Sequence, residues 1–167
     1  MTRSAHDALI SIGSNVDPEV HIPRVLAWFE ARFEDVGISP AYRSAAVGGA
    51  PGQPPFVNLA VRIRSDLLPR ALREVTRRAE DVCGRRRTED RYAPRTMDAD
   101  LVWHDSGARH FGTWQLPDPQ LRQEAFVLVP SADVAPELVD PVTGRTLRQM
   151  CDGLDADVRG ALVRIDL

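Results

Sequence analysis

Hydrophobic residues occupy every second position in two stretches of the chain, a period typical of β-strands with one buried face. The predicted strand 56–63 has this pattern, and the predicted strand 97–104 repeats it from Met97 to Trp103. The apolar residues of each strand would share one face, and the intervening residues would share the other. Both strands therefore combine a face suited to a core with a face available for chemistry.

Elsewhere the hydrophobic period becomes helical. Leu26, Phe29 and Phe33 recur at helical spacing, which predicts a core-facing helix that begins at Pro18 or at Pro23. The other predicted elements are a helix from 69 to about 83 and strands at 8–14, 38–47 and 126–129.

The predicted order is strand, helix, strand, strand, helix, strand. That order is typical of a ferredoxin-like α+β sandwich, in which helices cover one face of a mainly antiparallel sheet. The uncovered face would display Asn58, Asp98 and Asp100. The chain has 167 residues, is 43% hydrophobic and contains no repeat or Gly/Ser linker, so we expect residues 1–167 to form a single domain.

Composition excludes several classes of site. All 21 basic residues are arginine, which excludes a P-loop, a protein-kinase lysine and Schiff-base chemistry. Cys83 and Cys151 are far apart and outside any CxxC pair, which excludes a thiolate zinc site. Because there is no apolar run of about 18 residues and no signal-peptide stretch, we expect a cytoplasmic protein without membrane contact.

Two carboxylates are candidate metal ligands. Asp98 and Asp100 are two positions apart on a predicted strand, so both side chains point to the same side. A hard divalent cation with oxygen ligands, above all Mg²⁺, would relieve their mutual repulsion. The alternative is a solvated strand face on which these carboxylates pair with arginines.

Arginines are concentrated directly before the two aspartates. Eight of the 21 arginines fall within residues 73–95, and five of those eight lie in the loop that leads into the aspartates. This arrangement is typical of a polyphosphate site, because guanidinium groups and metal ions bind phosphate oxygens together. The other three, Arg73, Arg77 and Arg78, lie on the preceding helix, where we expect a solvated face.

Residues 80–87 (EDVCGRRR) and 91–100 (RYAPRTMDAD) carry a resemblance to a known family. They resemble the patterns E-x₃-G-R-x-R and W-G-P-R-T-x-D-x-D of hydroxymethyldihydropterin pyrophosphokinase, an enzyme of folate biosynthesis. Further matches, in the family's order and spacing, are 12–15 (IGSN), 42–44 (YRS), 53–58 (QPPFVN), 126–130 (FVLVP) and 135–139 (APELV). The resemblance covers about residues 8–148.

The resemblance implies transfer of pyrophosphate from ATP to the hydroxymethyl group of the pterin, with release of AMP. It implies that Asp98 and Asp100 bind two Mg²⁺ ions, and that Arg85 and Arg95 act with them as catalytic residues. The implied nucleotide contacts are Glu80, Arg85, Arg87, Arg91, Tyr92 and Arg95. The implied pterin contacts are Asn58 at the amide edge, Phe56 and Phe126 on the ring faces, and the strand edge at Ser44 and Val47.

The sequence also departs from the family pattern. Asp118 replaces the histidine of a P-H-P triplet, while Glu124 and Thr113 replace arginines. The family's loop tryptophan and glycine are Tyr92 and Ala93. All of these positions are expected on the ATP side of the site. Cationic residues close enough in sequence to compensate are Arg109, His110 and Arg122.

Two alternatives to a pyrophosphokinase remain open. A diverged paralogue would keep the heterocycle pocket and use another donor, or bind without catalysis; carboxylates at Asp118 and Glu124 favour it because they repel a triphosphate. A nucleic-acid-binding ferredoxin-like domain would use the arginine loop, but the net charge of −3 and the lack of an aromatic RNP sequence disfavour it. We expect a monomer that binds a pterin and a nucleotide.

Overall fold

The computed structural model describes residues 5–48, 51–90 and 92–167. Eight strands lie in these ranges, and six of them form one sheet. The strands are β1 (His6–Ser14), β2 (Asp35–Ile38), β3 (Ala41–Ser44), β4 (Phe56–Ser65), β5 (Asp98–His104), β6 (Arg109–His110), β7 (Gln115–Leu116) and β8 (Val163–Ile165). The helices are α1 (Pro18–Glu30), α2 (Pro69–Val82), α3 (Gln120–Gln123), α4 (Ala125–Val134), α5 (Leu147–Asp152) and α6 (Ala156–Gly160).

The sheet agrees with the predicted ferredoxin-like fold. Its order is β5-β1-β4-β3-β8, with β2 also paired to β4, and every pairing is antiparallel. Helices α1 and α2 cover one face, where Ile10, Leu59 and Ile63 pack with Phe29 and Leu72. The α+β fold with a mainly antiparallel sheet is therefore confirmed, and β6 and β7 form a separate hairpin.

Helices cover both faces of the sheet, which corrects the prediction that they cover only one. The segment predicted as strand 126–129 belongs to α4, which packs on the second face with Leu9, Trp103 and Leu128 in its core. A short, uniformly apolar run has no period that separates a buried strand from a buried helix, and this explains the error. Beside α3 and α4, polar residues of β1, β4 and β5 on this second face line an open cavity.

Two local details of the strands also differ from the prediction. The predicted strand 38–47 is split into β2 and β3 by Ser39 and Pro40, because proline cannot donate to the ladder. Trp103 lies in the second core rather than beside Leu101, because the pairing of β1 with β5 shifts register at Leu9 and Ile10.

Among the described residues, no helix has both the length and the hydropathy needed to cross a membrane.

Candidate active site

Two cavities of contrasting composition meet at Asp100. The first, of about 540 Å³, lies over the open ends of β1, β4 and β5 beside α3 and α4; we call it the asparagine cavity. The second, of about 610 Å³, lies between α2, β5 and the β6–β7 hairpin; we call it the arginine cavity. The residues that line the asparagine cavity include Gly13, Ser44, Phe56, Asn58 and Phe126. The residues that line the arginine cavity include Arg73, Arg77, Glu80, Arg87, Trp114 and Asp118. Asp100 lines both cavities.

Asn58 forms a fixed polar group in the asparagine cavity. Its side chain is 4% exposed, and its Nδ2 donates a hydrogen bond to Ser44 Oγ at 2.9 Å. Gly13 lies in β1, within the predicted strand 8–14, and a Cβ atom there would approach Asn58 Oδ1 to 3.3 Å and Phe56 to 3.6 Å. The missing side chain of Gly13 therefore leaves the surface beside Asn58 open.

The predicted aromatic pair lies in the same cavity. Phe56 is at the start of β4, and Phe126 is in the first turn of α4. Ser44 is the last residue of β3 and pairs with Phe56. Val47 lies beyond the strand and is 64% exposed, so the predicted strand edge ends before it, but Val47 still lines the same cavity. Tyr92 also lines the asparagine cavity rather than the arginine cavity.

The two aspartates are in different electrostatic environments. Asp98 is neutralised by Arg85 Nη1, 2.5 Å from its Oδ1, and by Arg95 Nη1, 2.8 Å from its Oδ2. Asp100 faces both cavities and has no ion pair among the described residues. Asp100 is exposed where the two cavities meet, but the surrounding protein still limits its hydration; this desolvation, followed by repulsion from Asp98, Glu80 and Asp118, raises the pKa of Asp100 to about 7.

Glu80 holds the arginines that precede the aspartates. It is 4% exposed, and its carboxylate accepts hydrogen bonds from Arg85 at 2.9 Å and Arg87 at 2.5 Å. Burial raises the pKa of Glu80, and the two arginines oppose that rise. Burial alone would lower the pKa of Arg85, but Asp98 and Glu80 raise it, so Arg85 stays charged where it bridges them.

Asn15 positions the loop that carries Arg95, a role that the sequence reasoning missed. Its Oδ1 accepts a hydrogen bond from Arg95 N at 2.8 Å, and its Nδ2 donates to Pro54 O at 3.3 Å. Asn15 is 4% exposed. Its place in the IGSN match was the available signal. Arg91, predicted as a nucleotide contact, lies outside the described residues.

The helix arginines depart only in part from the prediction of a solvated face. Arg73 is half-buried and lines the arginine cavity, whereas Arg77 and Arg78 are exposed as expected, although Arg77 also lines that cavity. The places of Arg73 and Arg77 on α2 are one turn apart, so one helix face directs both side chains to the same cavity. The sequence showed that this helix is basic. It could not show which arginines line a cavity, because the opposite wall comes from segments that are distant in sequence.

The acidic departures from the family pattern, both expected on the ATP side, line different cavities. Asp118 lines the arginine cavity, whereas Glu124 lines the asparagine cavity. Arg122 pairs with buried Asp140 at 3.4 Å and lines neither cavity. The other candidate substitutes, Arg109 and His110, and the altered position Thr113 are exposed and also line neither cavity.

A second group of potential metal ligands lies at the opposite end of β1. His6 Nδ1 is 2.6 Å from Asp105 Oδ1, and the buried ring of His104 is nearby. Both nitrogens of His104 are already bonded, Nε2 to Leu67 O at 3.2 Å and Nδ1 to the hydroxyl and the backbone amide of Ser106 at 2.8 and 3.0 Å. These hydrogen bonds indicate that His104 stabilises the end of β5 rather than binding a metal.

Comparison with known proteins identifies a family. The family model for 7,8-dihydro-6-hydroxymethylpterin-pyrophosphokinase (HPPK) matches residues 9–136. The chain is 33% identical, over 92% of its length and 78% of the other protein, to a 2-amino-4-hydroxy-6-hydroxymethyldihydropteridine pyrophosphokinase from Synechocystis sp.. It is 34% identical, over 84% of its length and 87% of the other protein, to the pyrophosphokinase of that name from Pseudomonas aeruginosa.

A solved structure supports the fold independently. The Plasmodium falciparum HPPK-DHPS structure superposes with a TM-score of 0.73 at 11% identity, covering 99% of this chain and 46% of that chain. The chain thus spans about half of that two-part protein, and at this identity the likeness shows the fold alone. Together with the family-model match and the two bacterial relatives, these findings show that the chain belongs to the 7,8-dihydro-6-hydroxymethylpterin-pyrophosphokinase family.

Proposed function

We propose that this protein transfers the pyrophosphate group of ATP to the hydroxymethyl group of 6-hydroxymethyl-7,8-dihydropterin and releases AMP, a step of folate biosynthesis. Family membership supports this function. The observation that carries the proposal is that Asp100 belongs to two cavities of different chemistry, as a reaction between two unlike substrates requires.

The asparagine cavity has the chemistry needed for a pterin. A pterin is flat and aromatic, and it carries an amide edge with both a donor and an acceptor. Phe56 and Phe126 offer apolar ring surfaces, and Asn58 offers a buried amide that can bond such an edge. Fixed by its bond to Ser44, this amide keeps one orientation when the cavity is filled.

The aspartates have a donor set that fits Mg²⁺. The carboxylate of Asp100 has no ion pair among the described residues. Desolvation and then repulsion from neighbouring carboxylates raise its pKa, and a hard cation would relieve that repulsion. Asp98 would join it as the second ligand, in exchange for part of its contact with Arg85 and Arg95. Bound Mg²⁺ would polarise the phosphate oxygens and offset their charge.

In the proposed reaction the substrate hydroxyl oxygen attacks the β-phosphorus of ATP. The bond between that phosphorus and the oxygen bridging to the α-phosphate breaks, AMP leaves, and the hydroxyl proton is released to solvent. Arg85 and Arg95 would stabilise the negative charge that develops on the phosphates and align the reacting atoms. Glu80 and Asn15 would hold these two arginines in position, and no covalent enzyme intermediate is needed.

A second candidate is a diverged paralogue that binds a heterocycle and uses another donor, or none. Asp118 favours it, because this carboxylate lines the arginine cavity and adds to the repulsion at Asp100. The two candidates differ in whether ATP is consumed. For either candidate we propose a cytoplasmic monomer that acts on small molecules and not on nucleic acid.

Product analysis tests the proposal directly. We expect ³¹P NMR of the protein with Mg²⁺, ATP and 6-hydroxymethyl-7,8-dihydropterin to detect AMP and a new pterin diphosphate in equal amounts. Omission of the pterin, or the Asp100→Asn variant, should abolish both signals. Pterin binding without AMP formation would support the diverged paralogue instead.

A further inference from the structure

We propose that Arg73 forms the platform on which the nucleobase of the phosphate donor stacks in the arginine cavity. This inference rests on the proposed function, because it assumes that a nucleotide is the donor. It adds a residue and a type of recognition to the site: planar stacking on a guanidinium group, outside the arginine loop of residues 85–95.

The guanidinium of Arg73 lies over an aromatic stack. Its Cζ lies 4.7 Å from the centroid of the Trp114 ring, and Trp114 stacks on Phe111 at 4.1 Å with 11° between the ring planes. Arg73 is half-buried although it lies on the basic side of α2. Such a guanidinium offers a flat cationic face, and aromatic heterocycles stack well on that face.

The charge of the arginine cavity favours the nucleoside part of the donor over its phosphates. Among the described residues, three arginines line this cavity against four carboxylates: Arg73, Arg77 and Arg87 against Glu80, Asp81, Asp100 and Asp118. A triphosphate placed there would meet a net negative wall. A neutral base and sugar would not, and carboxylates can accept hydrogen bonds from sugar hydroxyls and base amino groups.

The position of the cavity agrees with this division. The phosphates would lie near Asp98, where Arg85 and Arg95 converge, and the heterocycle of the acceptor would occupy the asparagine cavity. From Asp100 the arginine cavity extends in the other direction, towards Arg73 and Trp114. A nucleotide with its phosphates at the aspartates would therefore extend its base towards Arg73.

The chain offers a matched control for a purely structural role of Arg73. Arg70 lies on the same helix, and its Cζ is 5.4 Å from the Phe111 ring of the same aromatic stack, but it is exposed and does not line the arginine cavity. Loss of Arg70 would remove a similar helix-to-hairpin contact and leave the cavity wall intact. Arg73→Lys provides a second control, since it keeps the charge but removes the planar face.

Calorimetric binding with three probes tests the proposal: Mg²⁺ with α,β-methylene-ATP, AMP alone, and Mg²⁺ with tripolyphosphate. We expect Arg73→Ala and Arg73→Lys each to weaken the analogue and AMP about tenfold, a loss typical of stacking contacts. Tripolyphosphate should change less than about twofold, and Arg70→Ala should leave all three affinities within about twofold of wild type. Thermal unfolding of each variant checks that it remains folded.

Several results would overturn the proposal. A parallel loss of tripolyphosphate affinity would make Arg73 a phosphate ligand, and full affinity in Arg73→Lys would reduce its role to charge. An equal loss in Arg70→Ala would assign Arg73 to holding the hairpin. If wild type binds the analogue and Arg73→Ala binds it equally well, only this inference fails. A wild-type protein that binds no Mg²⁺–α,β-methylene-ATP would contradict the proposed function itself.

Discussion

The asparagine cavity and the arginine cavity share Asp100 but are built from different kinds of element. In the asparagine cavity, Gly13, Phe56 and Asn58 lie on paired strands, so the backbone ladder fixes their positions. In the arginine cavity, long side chains from α2 and the β6–β7 hairpin form the wall. The difference gives the asparagine cavity a rigid surface and the arginine cavity an adjustable one, which suits the flat pterin and the flexible nucleotide that we propose as their ligands.

The largest expected effect is at the residue that joins the two cavities. Asp100→Asn should lower turnover by about a hundredfold or more, because it would remove a carboxylate that we propose as a ligand of the Mg²⁺ at the reacting phosphates. Steady-state AMP release measures this loss. Asp157→Asn, an exposed change on α6 that touches neither cavity, is the control and should keep full activity. Full activity of Asp100→Asn would reduce the aspartates to a solvated face.

Arg85 connects the two cavities through its ion pairs. Arg85→Ala would leave the buried Glu80 without one of its two arginine partners, at a cost of about 3–5 kcal/mol in the free energy of unfolding. Urea unfolding measures this change. The neighbouring exposed Arg86→Ala should change stability by less than about 0.5 kcal/mol. Similar stabilities of the two variants would contradict the role given to the Glu80–Arg85–Asp98 contacts.

A change at Phe126 should affect binding in the asparagine cavity but not in the arginine cavity. Phe126→Leu keeps an apolar side chain but removes the ring face, so pterin affinity should fall by about 0.5–1.5 kcal/mol while nucleotide affinity is unchanged. Phe126→Tyr should restore pterin binding. Calorimetry with each substrate alone makes the comparison. An unchanged pterin affinity in Phe126→Leu would exclude stacking on this ring.

The raised pKa of Asp100 makes both stability and metal affinity depend on pH. With a pKa of about 7 in the fold against an ordinary value of 3.8, the native state binds more protons than the unfolded chain between these values. The stability of the ligand-free protein should therefore fall as pH rises through this window. Nucleotide binding that depends on Mg²⁺ should strengthen over the same window, because proton and cation compete for one carboxylate. Thermal unfolding and titrations from pH 5 to 8 test both trends, and Asp100→Asn should flatten them.

The smallest expected effect concerns the two acidic departures, which the structure assigns to different cavities. Asp118→Asn should lower the KM for ATP about two- to threefold at low salt, because it removes repulsion at Asp100, and the gain should shrink as salt rises. Glu124→Gln is the matched change in the asparagine cavity and should leave the KM for ATP unaltered. Equal effects of the two substitutions would contradict the division between the cavities.

Much of the asparagine cavity could be predicted because its residues follow strand periodicity. The two-residue period of β4 and β5 placed Asn58, Asp98 and Asp100 on one sheet face, and the structure brings them together. Errors arose where the period was interrupted: Val47 lies beyond the end of β3, and α4 replaced the strand predicted around Phe126. A short apolar run lacks the information that distinguishes the two structures.

The arginine cavity was harder to predict because its walls are far apart in sequence. Arg73 and Arg77 on α2 face Trp114 and Asp118, about 40 residues later, and helical periodicity alone assigned the arginines to solvent. Tertiary packing of the β6–β7 hairpin against α2 decides which side of the helix is covered. The sequence showed that arginines were concentrated there but could not show which of them meet a partner.

The most direct test of the two-cavity account is the rate of AMP release by wild type and Asn58→Ala, with each substrate varied in turn. The account predicts that wild type releases AMP only with both substrates. In Asn58→Ala the KM for the pterin should rise by the equivalent of about 1–3 kcal/mol, because a buried amide contact is lost, while the KM for ATP stays unchanged. Absence of AMP release by wild type, or a parallel rise in the KM for ATP, would contradict the account.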